Sequence, residues 1–145
     1  WKGKRLPTKE EWVKAGYTEK RVYPTDGYIK GKTYPYPTGE NPTDANCLSD
    51  CDAEIRLAGK KINFGSVLNR GLGHAQVGVS KRGINGLYDM GANVWEWPNL
   101  PSHNGHQATM GGSWWYGQRQ MKADYGATKP EGMAVVYIGF RCIFD

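Results

Sequence analysis

Long apolar runs, blocks of like charge and cysteine are all scarce in this chain of 145 residues. No stretch approaches the roughly 18 consecutive apolar residues of a membrane helix, and the first residues, WKGKRLPT, lack an apolar signal region. The net charge is +5, but the basic residues are scattered along the chain. Scattered charge gives little electrostatic basis for binding nucleic acid. We therefore expect no membrane span and no nucleic-acid partner.

The three cysteines are too few for a disulfide framework, and their odd number leaves at least one unpaired. Cys47 and Cys51 form a C-x3-C motif with neither a second cysteine pair nor a nearby histidine, which argues against zinc. A local disulfide and two ordinary thiols both remain open for this pair. Cys142 lies in an apolar stretch, where a small buried side chain is expected. The cysteines therefore do not indicate in which cellular compartment the protein is found.

Turn-forming residues and aromatic residues are abundant instead. Twenty glycines, eight prolines and 12% aromatic residues indicate a globular chain dominated by irregular structure. One helix is predicted in LPTKEEWVKAG, because Thr8 and Glu11 form a capping box and Trp12 with Ala15 or Val13 forms an inward stripe. The helix is predicted to end near Gly16.

Short strands and long loops are predicted for the rest of the chain. Residues 17–46 contain four prolines, which disfavour both helix and central strand. Residues 53–70 fit either two short strands or a strand and a turn. The terminal stretch AVVYIGFRCIF is predicted to be a strand.

Five motifs in this chain occur in an order that resembles a known family. They are RLPTKEEW at 5–12, YPYPTGENPTDAN at 34–46, NGLYDMGANVWEW at 85–97, GGSWW at 111–115 and IGFRC at 138–142. The sequence resembles the formylglycine-generating enzyme (sulfatase-modifying factor) family. Its superfamily also includes iron-dependent ergothioneine-type sulfoxide synthases and the variable proteins of diversity-generating retroelements.

The resemblance implies an α+β fold, a variant of the C-type lectin fold with little regular secondary structure, long loops and a small antiparallel sheet. It implies a single domain over residues 1–145. In the family an N-terminal portion precedes the segment that resembles WKGKRLPT. Either that portion has been removed or this chain is a short member.

The residues of two enzyme mechanisms are missing. Formylglycine-generating enzymes have two cysteines shortly after GGSW, at positions that match Tyr116 and Met121. Oxidation of a substrate cysteine through copper needs two thiolates, so this activity is expected to be absent. An iron site would need three histidines, and the chain has only His74, His103 and His106. Of these, His103 and His106 are predicted to be solvated loop residues. Ser113 has no histidine partner and is predicted to be structural.

A structural calcium ion is predicted around residues 89–96. Asp89 and Glu96 supply two carboxylates on either side of Gly91, and calcium prefers six to eight oxygen ligands. The resemblance assigns the site to these two side chains and the backbone carbonyls of Ala92 and Val94. The alternative is that both carboxylates only cap turns. The resemblance also implies a second site near Asn46, with Asp50 or Asp52 as a candidate ligand.

The segment 115–137 mixes aromatic and polar residues without helical or strand periodicity. In retroelement variable proteins the corresponding interval is diversified and forms the ligand-binding face. Trp95, Trp97 and Trp114 are predicted to be structural, and Trp115 is the candidate exposed anchor. The predicted ligand-binding residues have the composition of a paratope: Trp115, Tyr116, Gln118, Arg119, Gln120, Lys122, Asp124, Tyr125 and Tyr137.

These features predict a non-catalytic ligand-binding protein that displays a variable surface on a C-type lectin-like scaffold, as in a retroelement variable protein. Its expected ligand is a protein or a cell-surface glycan. Display outside the cell or on a virion or cell surface would suit such a protein. The alternative is a metal-dependent oxidoreductase of the same superfamily.

Overall fold

A computed structural model describes residues 3–47, 51, 54–57, 60–63, 73–78 and 80–144. Within these ranges one α-helix is present, α1, at Lys9–Tyr17. Thr8 accepts a hydrogen bond from the Glu11 backbone N–H, and the Glu11 carboxylate accepts one from the Thr8 N–H. The predicted capping box is therefore confirmed. The helix buries Trp12, Gly16 and Tyr17, and none of the described helices is long and apolar enough to cross a membrane.

The strands are short and are dispersed along the chain. Their bounds are β1 Lys4–Arg5, β2 Glu54–Leu57, β3 Lys60–Asn63, β4 Trp95–Glu96, β5 His106–Thr109, β6 Ala127–Pro130, β7 Ile138–Gly139 and β8 Ile143–Phe144. Two 3-10 helices lie at Ile84–Gly86 and Gln118–Met121. Among the described residues the strands form four two-stranded pairs. The pairs β1–β8, β2–β3 and β5–β6 are antiparallel, whereas β4–β7 is parallel.

This arrangement confirms the α+β class with little regular structure. Residues 54–57 and 60–63 form the two-strand alternative of the prediction. The single strand predicted for the terminal stretch is wrong, because β7 pairs with β4 and β8 pairs with β1. Two different pairing partners divide the stretch, and residues 140–142 between them are not in a strand.

The core has its centre where α1 packs against the loops that follow it. Trp12, Tyr17, Met90 and Met110 form one buried cluster. A Cβ at Gly16 would lie 2.8 Å from the Met90 Cε atom, so a larger residue here would displace the end of the Met90 side chain. A second buried cluster contains Tyr36, Ala45, Cys47, Cys51, Ala92 and Met121.

The IGFRC motif is less buried than the sequence predicted. Phe140 is 58% exposed, and Cys142 is half-buried rather than buried. Both line an open cleft of about 460 Å³ together with Trp97. The reason is the division of the terminal stretch between two strand pairs, which leaves its middle at the surface.

Candidate functional site

The two positions that match the family's catalytic cysteines have packing roles here. The Tyr116 ring lies edge-on to Trp95, with centroids 5.1 Å apart and an interplanar angle of 76°. Met121 is fully buried, and its carbonyl accepts a hydrogen bond from the Tyr17 hydroxyl. Its sulfur is 3.6 Å from the Cys51 sulfur. Neither side chain at these positions can supply a thiolate.

Cys47 and Cys51 are joined in a disulfide, with their Cα atoms 5.7 Å apart. This is one of the two states left open by the sequence. Each cysteine is only 1% exposed. The bridge belongs to the buried cluster that includes Met121, so its sulfurs are not presented to solvent as free thiols.

The three histidines do not come together. His74, His103 and His106 are all exposed. His103 and His106 form a β-bridge around a turn, and the His106 Nδ1 atom lies 3.1 Å from the Asn104 carbonyl oxygen. Among the described residues, no three His, Cys, Asp or Glu side chains are grouped so that they could hold a metal ion.

Glu96 is a buried carboxylate that bonds to two side chains distant in sequence, Trp12 and Arg141. It is 5% exposed. Its Oε2 atom accepts a 2.7 Å bond from Trp12 Nε1 and a 2.6 Å bond from Arg141 Nε. Its Oε1 atom accepts a 2.6 Å bond from a terminal nitrogen of Arg141. Bidentate pairing of this kind is among the strongest hydrogen-bonding arrangements in proteins, because donor and acceptor are both charged.

Asp89 lies beside this network in a strained loop. Its carboxylate bonds to the Ser80 hydroxyl through Oδ1, whereas Oδ2 is buried without a partner among the described residues. Burial raises the pKa of the Asp89 carboxyl. Asp89, Ala92 and Asn93 have φ angles of 55°, 64° and 56°, a left-handed conformation that is costly without glycine.

The four predicted calcium ligands, Asp89, Ala92, Val94 and Glu96, do not present two free carboxylates. Arg141 already neutralises Glu96, and a cation bound there would face the guanidinium across the same carboxylate. The Oδ2 atom of Asp89, which has no partner among the described residues, is a feature of the set that suits a cation. The residues as arranged do not fit the site that the resemblance implied, and calcium stays a prediction.

The second predicted calcium site is described only in part. Asn46 is buried, and its amide donates to the Gly73 carbonyl and to the Asn93 side-chain oxygen, both at 3.1 Å. Asp50 and Asp52 lie outside the described residues. This site also stays a prediction.

Aromatic side chains from four parts of the chain meet at one surface. Its base is formed by Trp95 and Trp114, which are 0% and 8% exposed. Trp115 stacks on Trp114 at 5.0 Å, and Tyr137 meets Trp115 edge-on at 5.7 Å. Lys129 of β6 lies over the base. We call this surface the aromatic face; it consists of Trp95, Trp114, Trp115, Tyr116, Tyr125, Lys129 and Tyr137.

Lys129 packs against three rings of the aromatic face. Its Nζ atom is 5.3 Å from the Trp95 ring centroid, 5.0 Å from that of Tyr116 and 5.9 Å from that of Tyr137. It donates a 3.0 Å hydrogen bond to the Tyr116 hydroxyl. An ammonium over aromatic rings is attracted by the negative potential of each ring face.

The nine predicted ligand-binding residues all lie in the described structure, and none is buried. Arg119, Lys122 and Asp124 are exposed, and the other six are half-buried. Arg119 lies over the Tyr125 ring and Lys122 over the Tyr36 ring, each at 5.8 Å from the centroid. Trp115 is thus a packed, half-buried residue, and its predicted role as a ligand anchor stays untested.

Two residues of this region were missed by sequence reasoning. Arg141 lies within the IGFRC motif, but its buried partner Glu96 is 45 positions away and no local signal links them. Lys129 was not among the predicted ligand-binding residues. Its place depends on the pairing of β6 with β5, which puts Lys129 opposite Gln107. Of the three tryptophans predicted to be structural, Trp95 and Trp114 are buried, whereas Trp97 is half-buried.

Comparison with known proteins identifies the family. A family model described as "Sulfatase-modifying factor enzyme 1-like domain" matches residues 1–145. The chain belongs to this family. A bovine relative, "Inactive C-alpha-formylglycine-generating enzyme 2" of Bos taurus, is 30% identical over 97 residues, which cover 67% of this chain and 27% of the relative. The match therefore spans about a quarter of the relative's length.

Two solved structures share the fold. "Crystal Structure of CarF" has a TM-score of 0.61 at 25% identity, and "Treponema denticola variable protein 1" has a TM-score of 0.53 at 20% identity. Each match covers 96% of this chain and 46% of the solved chain. The likeness to the Treponema denticola protein shows the shared fold alone.

Proposed function

We propose that this domain is a non-catalytic binding protein that uses the aromatic face and the predicted residues around it to bind a macromolecular ligand. The observation that supports this most directly is the exposure of the nine residues: three are exposed, six are half-buried and none is buried. Half-buried tyrosine and tryptophan offer large, rigid contact area at low entropic cost. A buried tryptophan pair beneath them supplies a fixed base.

The catalytic alternative has less support. Tyr116 and Met121 occupy the positions of the family's thiols, and Cys47 and Cys51 are buried in a disulfide. The bovine relative is itself named inactive. A copper-loaded assay on a sulfatase-type cysteine peptide is expected to give no formylglycine above a control without protein, and conversion above that control would favour the enzyme.

A library experiment tests the binding proposal without a known ligand. Gln118, Arg119, Gln120, Lys122 and Asp124 are randomised together, and the library is displayed and sorted for protease resistance and for binding to lysozyme as a fixed target. A matched library randomises five buried residues. We expect most members of the first library to stay folded and some to bind, because these side chains are not needed for the core.

The matched library varies Trp12, Tyr17, Ile84, Met90 and Met110, all of which are at most 2% exposed. Most of its members are expected to lose protease resistance, since large changes in a core cost several kcal/mol. Equal loss of folding in the two libraries would show that the surface residues are part of the scaffold. A folded surface library without any binder would count against the binding proposal.

A further inference from the structure

Lys129 is a half-buried cation without a carboxylate partner in the described structure. Of the ion pairs within the described ranges, none includes it. An ammonium has three N–H donors, and the Tyr116 hydroxyl accepts one. The surrounding rings attract the cation, but they leave its remaining donors without a strong acceptor. By contrast, Lys32 pairs with the carboxylate of Glu40.

The base of the aromatic face also contains hydrogen-bond donors that lack acceptors. The indole Nε1 atoms of Trp95 and Trp114 are buried and have no acceptor among the described residues. Buried donors normally have a partner, so two indoles without an acceptor in the base of one face are unusual. Arg119 adds a further cation over the Tyr125 ring of the face. The local imbalance therefore favours a ligand with a negative charge.

We propose that Lys129 anchors a carboxylate at the centre of the aromatic face, and that this carboxylate is an Asp or Glu side chain of a protein ligand. The inference rests on the proposed function, because it names the chemistry of the ligand at the same face. A charge-assisted hydrogen bond at a partly desolvated lysine is stronger than a neutral one. Lys129 is half-buried, and a partly buried charge pair is screened less than an exposed one.

A protein ligand suits the packing better than a sugar. A sugar ring would need an open aromatic face on which to stack. Here Trp115 stacks on Trp114, Tyr137 packs edge-on against Trp115, and Lys129 covers the rings of Tyr116 and Trp95. The half-buried side chains of the face combine aromatic rings, hydroxyls and an ammonium. Such a mixture of aromatic and polar contact is typical of protein interfaces.

Nuclear magnetic resonance can test this pairing with a defined probe. Protein with labelled lysine and tyrosine side chains is titrated with the peptide acetyl-Gly-Glu-Gly-amide and, separately, with acetyl-Gly-Gln-Gly-amide. We expect saturable shifts of the Lys129 and Tyr116 side-chain signals with the Glu peptide, and affinity about tenfold weaker with the Gln peptide. Equal affinity for the two peptides would overturn the proposal.

Substitutions test whether the preference for the Glu peptide depends on Lys129. Lys129→Met should abolish the preference for the Glu peptide, and Lys129→Arg should retain it. Lys4→Met is the matched control, because Lys4 likewise lies over an aromatic ring, that of Phe144 at 4.9 Å, which is not part of the aromatic face. Retention of the preference in Lys129→Met would contradict the proposal. If that variant does not fold, wild-type protein still decides: raising salt from about 0.05 to 0.5 M should weaken Glu-peptide binding, and salt-independent binding would contradict a charge pair.

A third arm distinguishes the source of the carboxylate. Glucuronate is titrated under the same conditions. Tighter binding of glucuronate than of the Glu peptide would overturn the assignment to a protein ligand and place an acidic sugar there. These outcomes are independent of the library experiment: binders from the library with no Glu-peptide preference would leave the proposed function standing and remove only this inference.

Discussion

Two aromatic clusters of this molecule differ in how their polar groups are matched. In the core, the indole N–H of Trp12 donates to Glu96, and Glu96 also pairs with Arg141. On the aromatic face, the indoles of Trp95 and Trp114 have no acceptor in the described structure. Matched buried groups stabilise a unique fold, whereas unmatched ones cost stability unless a partner arrives. The contrast separates the region that stabilises the domain from the region proposed to bind.

The largest expected effect comes from breaking the matched network. Glu96→Ala leaves the Arg141 guanidinium and the Trp12 indole without their shared acceptor. Removing one partner of a buried pair costs about 3–5 kcal/mol. Chemical denaturation should show a loss in that range. Glu131→Ala, at an exposed residue, is the control and should change stability by less than about 0.5 kcal/mol.

A loss below about 1 kcal/mol for Glu96→Ala would mean that the network contributes little to stability. The core and the aromatic face would then not differ in the way proposed. The measurement therefore tests the comparison as well as the residue.

Chemical denaturation can also distinguish the buried tryptophan of the aromatic face from a half-buried one. Trp95→Ala removes a fully buried indole and should cost about 3–5 kcal/mol. Trp115→Ala removes a half-buried one and should cost about 1 kcal/mol. Trp97 was predicted to be structural as well, but it is half-buried beside the open cleft. Trp95 is therefore the tryptophan chosen here to represent the core. Equal losses at Trp95 and Trp115 would show that the whole face is core.

Acid should lower the stability of the domain in a defined pH window, because Glu19 is a buried carboxylate with four hydrogen-bond donors. Hydrogen bonds from the Arg21 side chain, and then from the backbone N–H groups of Arg21 and Asn85, lower the pKa of Glu19 from 4.5 to about 2 against the opposing effect of burial. A lowered folded-state pKa adds stability above the unfolded value, and that stability is lost as the pH falls toward the folded value. Stability should thus fall between pH 4.5 and about 2.

Glu19→Gln should flatten this part of the pH profile, measured as the denaturation midpoint at each pH. Glu10→Gln, at an exposed residue of α1, should leave the profile unchanged. Part of the slope will persist in Glu19→Gln, because Arg5 also lowers the pKa of Glu11 to about 2. An unchanged profile in Glu19→Gln would show that its buried hydrogen bonds do not govern acid stability.

Local features of the fold were predictable and distant pairings were not. The capping box of α1 depends on two residues three positions apart, so the sequence alone predicts it. The division of the terminal strand depends on β1 and β4, which lie far away in the chain. The same applies to the site: residue composition indicated the face at 115–137, but the positions of Lys129 and Arg141 depend on long-range strand pairing. The spacing of residues in the sequence does not predict contacts between strands that lie far apart in the chain.

Calcium has the smallest expected effect, and here the sequence and the geometry disagree. The resemblance predicts an ion at Asp89 and Glu96, which would stabilise the fold by about 2.7 kcal/mol at 100 times its dissociation constant. In the structure Arg141 already provides the positive charge at Glu96. We therefore expect chelation to change the melting temperature little, even though the Asp89 Oδ2 atom lacks a partner among the described residues.

The matched measurement compares wild-type protein with Asp89→Asn, each melted in excess chelator and in millimolar calcium. If Arg141 suffices, the two conditions give the same melting temperature for both proteins. A calcium-dependent rise in the wild type that Asp89→Asn abolishes would show that the ion binds after all. It would also mean that calcium and Arg141 share the Glu96 carboxylate, which still has lone-pair capacity at Oε1 because only one described donor bonds to that atom. In that case the strained loop at 89–93 would be stabilised by the ion, and the core network would have a third, exchangeable partner.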